Sequence, residues 1–137
     1  MVAITGYANP ISLPDVQFRP HSFFVENVCG GQECPAMGWY NDSGVIYIDK
    51  FYKMILAENS YPDEPDQVHA EAVSLLGHEV VHYLQDRSGK FKEKTCKNFL
   101  DRDEEAFRAQ RIGMLPYLKF LIQRPIMYRP YRCPYEK

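Results

Sequence analysis

The stretch LLGHEVVHYLQD, residues 75–86, limits what this chain can fold into more than any other. It sits inside an unbroken helical pattern over residues 64–87. YPDEPD ahead of it offers a proline and acidic side chains where a helix dipole favours them, and RSGK behind it offers Gly89 for the C′ position. At about 100° per residue, Glu71, Ser74, His82 and Gln85 all fall within roughly 40° of His78. Val73, Leu76, Val80 and Leu84 gather on the far side and are expected to face the core. The helix therefore carries a polar stripe with two imidazoles one turn apart.

That stripe suits metal chemistry. Imidazoles at i and i+4 converge on one ion, and Glu79, about 100° round from His78, stands beside the stripe where a carboxylate reaches a metal-bound water. Of the other two histidines in the chain, His69 points about 180° away and His21 lies in a distant loop. Two histidines leave a catalytic zinc one protein ligand short.

The missing ligand is sought in NFLDRDEEAFRAQ, residues 98–110, which offers Asp101, Asp103, Glu104 and Glu105. Read as a helix, Phe99, Ala106, Phe107 and Gln110 lie within about 60° of Asp103, whereas Glu104 and Glu105 lie about 100° and 200° away. Asp103 is thus the carboxylate on the inward apolar face, where an unpaired charge is costly. An ion held between the two helices would pair it; a buried salt bridge to an arginine is the rival reading. Glu104 and Glu105 read as a solvated face and stand as fallback ligands. Ala106 would let the helices approach closely.

The rest of the chain reads as one α+β domain over residues 1–137, with loops and strands in 1–60. VQFRP (16–20) is a strand candidate, and GWY–NDSG–VIYID (38–49) reads as a β-hairpin, two aromatic and β-branched runs about a polar turn. The second helix is expected over 97–124, kinked near 113–116 by Gly113 and Pro116, with 125–137 as a proline-rich strap. A net charge of −2 gives no electrostatic reason to bind nucleic acid or anionic membrane. No apolar run approaches the roughly 18 residues of a membrane span, and MVAITGYANPISLP lacks the pattern of a signal peptide. Of the four cysteines, Cys29 and Cys34 bracket a turn-prone loop that a disulfide could close, and Cys96–Cys133 could strap the tail down. Disulfides would imply an exported protein; free thiols would imply a reducing compartment. A structural zinc site finds no CxxC pair to support it.

HEVVH followed by DEEAF resembles the gluzincin zinc metalloproteases, whose pattern is HExxH and then a helix bearing E-x-x-A or E-x-x-S. More narrowly, HEVVHYLQD, a cysteine and then DEEAFRAQ resemble a small bacterial family of uncharacterised metallopeptidase-like proteins with HExxHxxQ and E-x-E-A-Y-x-x-Q. The hairpin fits the same family, so the resemblance spans most of residues 29–110. It implies a minimal zincin-like α+β domain: a small antiparallel sheet or hairpin packed on the HExxH helix and on a second, ligand-bearing helix. It implies Zn2+ held by His78, His82 and Asp103, with Glu79 as general base for hydrolysis of a peptide or protein substrate. It also implies that the VIYID strand lies along the cleft and pairs with an extended substrate. Asp103 stands where the family has glutamate, and Phe107 where larger gluzincins carry an aspartate that supports a ligand histidine. Tyr117, Tyr128, Tyr131 and Arg129 are candidates for stabilising an oxyanion. A metal-stabilised binding protein without proteolytic activity is the alternative from another class.

Overall fold

The structure, a computed structural model, describes residues 6–7, 13–57 and 67–113. In chain order it places β1 (Asp15–Arg19), α1 (His21–Asn27), β2 (Gly38–Tyr40), β3 (Val45–Asp49), a 3-10 turn (Lys50–Tyr52), α2 (Lys53–Ala57), α3 (Gln67–Ser88) and α4 (Cys96–Gly113). The predicted kink near 113–116, the strap over 125–137, the start of the long helix at 64 and the four oxyanion candidates fall outside the described residues.

The expected hairpin forms because its turn suits a tight reversal. Asp42 and Gly44 both take positive φ, 65° and 84°, and the Asn41 side chain accepts from the Ser43 N–H at 3.2 Å. β2 and β3 pair antiparallel with Gly38 opposite Ile48 and Tyr40 opposite Ile46. β1 joins the other side of β3 in parallel, Asp15 opposite Val45 and Arg19 opposite Asp49. The sheet is therefore mixed, in the order β1-β3-β2. This corrects the expectation that VIYID could pair with a substrate. As β3 it is the central strand, and both of its edges are already used.

Alternation along β3 divides the sheet into two faces. Ile46 and Ile48 are fully buried on the inner face with Tyr40, Ala72, Leu75, Tyr83 and Leu84; each isoleucine contributes about 1.5–3 kcal/mol of burial. On the outer face Tyr47 stacks on Trp39, ring centroids 5.6 Å apart, and α1 lays Phe23 against Tyr47 at 4.8 Å. The short helices α1 and α2 lie within the stretch read as loops and strands. α1 serves to cover this aromatic face.

α3 ends at Ser88 as its sequence suggests. Gly89 follows with φ 72°, and its N–H donates to the carbonyls of Gln85 and Asp86 at 3.1 and 3.2 Å. The burial around α3 differs from the simple amphipathic reading, however. Of the four residues expected to face the core only Leu84 is buried; Leu76 and Val80 pack partly and Val73 is intermediate. The polar stripe is the more deeply enclosed side, with Ser74, His78 and Gln85 buried. It faces α4, where small residues allow close packing: Val81 forms a buried cluster with Ala106 and Ala109. The hairpin tip is tied to both helices, since Tyr40 donates to Asp86 at 2.5 Å and Arg102 pairs with Asp42 at 2.9 Å. The result is a small sheet packed on α3, which bears both histidines, and α4, which bears Asp103: a minimal zincin-like α+β arrangement.

Cys29 and Cys34 form a disulfide with Cα atoms 6.3 Å apart. Cys96 is also disulfide-bonded, and the Cys133 half of the expected strap lies outside the described residues. A bridge of this kind is consistent with an oxidising environment. No helix among the described residues is long and apolar enough to cross a membrane.

Candidate metal centre

α3 delivers His78 and His82 from successive turns, and α4 delivers Asp103 opposite them. The Nε2 atoms of the two histidines are 3.1 Å apart. Asp103 Oδ1 lies 3.4 Å from His78 Nε2 and 3.5 Å from His82 Nε2. Among the described residues this is the one cluster of histidine, cysteine or acidic side chains whose ligand atoms come together in this way.

Two observations test whether the trio suits an ion. The first is size. A tetrahedral zinc with bonds of about 2.0–2.1 Å sets its protein donors about 3.3–3.4 Å apart, and the three separations above straddle that value. The second is the state of the imidazoles. His82 Nδ1 lies 2.8 Å from Gln85 Oε1. The Gln85 amide is oriented unambiguously, because its Nε2 donates to the Arg102 carbonyl at 2.9 Å and to Glu105 Oε1 at 3.0 Å, both acceptors. His82 Nδ1 must then carry the proton. His78 Nδ1 lies 3.0 Å from Gln110 Oε1 and, with that amide oriented as it stands, donates in the same sense. Both Nε2 lone pairs therefore point toward Asp103, and three electron-rich atoms share one small space. A cation satisfies all three together; the residues fit zinc.

Protons on the imidazoles are the other way to satisfy the carboxylate. Burial pushes the Asp103 carboxyl up, but hydrogen bonds and charge from His78 and His82 outweigh it and hold Asp103 well below the usual carboxylate range. Burial likewise disfavours the charged form of His78, yet Asp103, Glu79 and Gln110 together raise its pKa. Among the described residues Asp103 is partnered by the two histidines.

Glu79 is 5% exposed. It lies where β2 crosses α3: a Cβ added at Gly38 would meet Leu75 Cδ1 at 2.8 Å and Glu79 Cγ at 3.3 Å. Only glycine lets the strand come this near. Asp49 N–H bonds the Met37 carbonyl, and with the β2–β3 register this leaves the main-chain N–H and C=O groups of Gly38 and Tyr40 directed away from β3. Among the described residues no strand pairs with that edge.

The fallback ligands stand apart from the cluster. Glu104 is exposed and 3.8 Å from Arg108, as a solvated face predicts. Glu105 departs from that expectation: it is partly buried, paired with Lys90 at 2.5 Å and accepting from Tyr7 and Gln85. Burial pushes its carboxyl up, but these donors outweigh it and lower its pKa. His21 belongs to α1 rather than a loop and pairs with Glu33 at 2.7 Å. Phe107, at the position of the supporting aspartate in larger gluzincins, packs its ring 4.5 Å from that of His78.

The supporting glutamines were not singled out as such from the sequence. The signal was available: Gln85 and Gln110 each fall about 20° from the ligand at the centre of their stripe, on faces too enclosed for an amide without partners. Compared with family models, curated proteins and solved structures, the chain matches none. What the geometry itself gives is a triad, His78 and His82 about Glu79 with Asp103 across from them, that matches the HExxH type of zinc-binding arrangement.

Proposed function

We propose that the chain is a zinc-dependent peptidase, a single domain over residues 1–137 whose metal ligands are His78, His82 and Asp103. The observation that carries the reading is the trio of donors at zinc-like separations with Glu79 buried one residue from the first of them. Bound there, zinc supplies a Lewis acid that brings the pKa of a water to about 7 and polarises a carbonyl.

The chain's own residues do the remaining work. Glu79 takes the proton of the attacking water as general base and passes it to the leaving amine. Its burial keeps competing water away and holds the carboxylate in one place. Going round α3 from His78, Leu75 and Glu79 come at about 60° and 100°, and these are the residues against which Gly38 packs. The open edge of β2 is thus the sheet edge nearest the metal donors. An extended peptide laid along it would exchange main-chain hydrogen bonds with Gly38 and Tyr40 and carry its scissile bond past Glu79. β2 takes the part first expected of VIYID. The Cys29–Cys34 bridge supports an exported, oxidising location for this activity.

The test is cleavage of a peptide library by zinc-loaded protein, with Glu79→Gln beside it. The proposal expects cleavage by the wild type, retained zinc in the variant and loss of turnover there. Unchanged turnover in Glu79→Gln removes Glu79 from its role. Zinc bound by a wild type that cleaves nothing replaces the peptidase with a metal-stabilised binding module.

A further inference from the structure

We infer that Gln85 and Gln110 are positioning residues for the two imidazoles and that they are not equivalent: the His78 side accepts a carboxylate and the His82 side requires an amide. The inference rests on the zinc reading above and asks what holds the ligands in place before the ion arrives. An imidazole ring turns about two bonds, so a ligand histidine needs its second nitrogen anchored if its first is to stay aimed. Each histidine here has one such anchor, and each anchor is an amide oxygen.

The far end of each amide differs. Gln110 Nε2 donates to the Ser74 hydroxyl. A hydroxyl both donates and accepts, so it can rotate and give its proton to an oxygen placed there instead. Glutamate at 110 would thus keep the contacts to His78 and Ser74, and a carboxylate is a stronger partner than an amide for a ring N–H. Gln85 has no such freedom. Its Nε2 is held by the Arg102 carbonyl and the Glu105 carboxylate, neither of which has a proton to give. Glutamate at 85 would set an oxygen against both, next to an existing negative charge whose other donors are Lys90 and Tyr7. The His82 side therefore works only while position 85 brings two N–H donors to α4.

The experiment uses the full chain and zinc alone, with affinity read by competition against a chromophoric chelator and ligand geometry by the visible spectrum of the Co2+-loaded protein. Four variants are compared with wild type: Gln110→Glu, Gln110→Leu, Gln85→Glu and Gln85→Leu. Gln110→Glu should match or exceed wild-type affinity and keep the cobalt spectrum. The other three should bind about 10–100-fold more weakly, with altered spectra. Should the leucine variants fail to fold, the two glutamate variants decide alone: equal affinities overturn the inference, and Gln110→Glu well above Gln85→Glu upholds it. If wild type binds zinc and all four variants bind it as well, the positioning role falls while the zinc reading stands. If wild type binds no zinc, both fall.

Discussion

Asp103 stands where the resembling metallopeptidases carry glutamate, so restoring the glutamate is the natural repair; the structure says it will do harm. Asp103 Oδ1 already lies 3.4 and 3.5 Å from the two Nε2 atoms, close to the about 3.3–3.4 Å that tetrahedral zinc asks of its donors. The helix contact beside it is made of Val81, Ala106 and Ala109, all buried, so widening it would open packed apolar surface. An added methylene must be absorbed by a strained rotamer or by moving α4. Such overpacking costs about 1–3 kcal/mol, and if it falls on the metal-bound state Asp103→Glu binds zinc about 5-fold to 150-fold more weakly. Competition titration with a chromophoric chelator measures this directly, with circular dichroism of the metal-free variant as the control for folding. Equal or tighter binding by Asp103→Glu would mean instead that the two helices stand too far apart for the shorter acid.

Zinc at a hundred times its Kd stabilises the fold by about 2.7 kcal/mol, which for a chain of 137 residues raises Tm by about 9 °C; differential scanning fluorimetry with and without a chelator reads it, and no shift contradicts a structural hold on the ion. Gly38→Ala, which brings a methyl to 2.8 Å from Leu75 and 3.3 Å from Glu79, should destabilise by about 1–3 kcal/mol in urea unfolding and lower kcat as Glu79 is displaced; a silent substitution would deny the close crossing of β2 over α3. His21 should titrate above 6.5, since its hydrogen bond to Glu33 outweighs partial desolvation and Asp49 adds a further pull. The protonated pair thus stabilises the fold below the unfolded pKa and is lost as pH rises through the raised value; NMR should show the midpoint fall in Glu33→Gln, and an unmoved midpoint would break the assignment.

What could be read from the sequence was local and periodic. The two long helices, the hairpin and the choice of Asp103 over its acidic neighbours all follow from 3.6- and 2-residue patterns, and the structure places them so. Pairing between distant segments could not be read this way. β1 joins β3 in parallel across an intervening helix and strand, and no local pattern states which edge of a sheet stays open. The depth of burial round α3 escapes the wheel for a related reason. The wheel sends Val73, Leu76, Val80 and Leu84 to the core, whereas the stripe with His78, Ser74 and Gln85 is the more enclosed side because α4 meets it with partners. Glu105 was read as solvated because its angle on α4 is outward; Lys90, Tyr7 and Gln85 reach it from other parts of the chain.

The proposed site holds one zinc among His78, His82 and Asp103. Crystals of zinc-loaded protein, measured on either side of the zinc absorption edge, test it most directly. A single strong anomalous peak is expected at about 2 Å from His78 Nε2, His82 Nε2 and an Asp103 oxygen. A zinc-loaded crystal with no peak there, or with the ion held by other residues while these three side chains point apart, would contradict it.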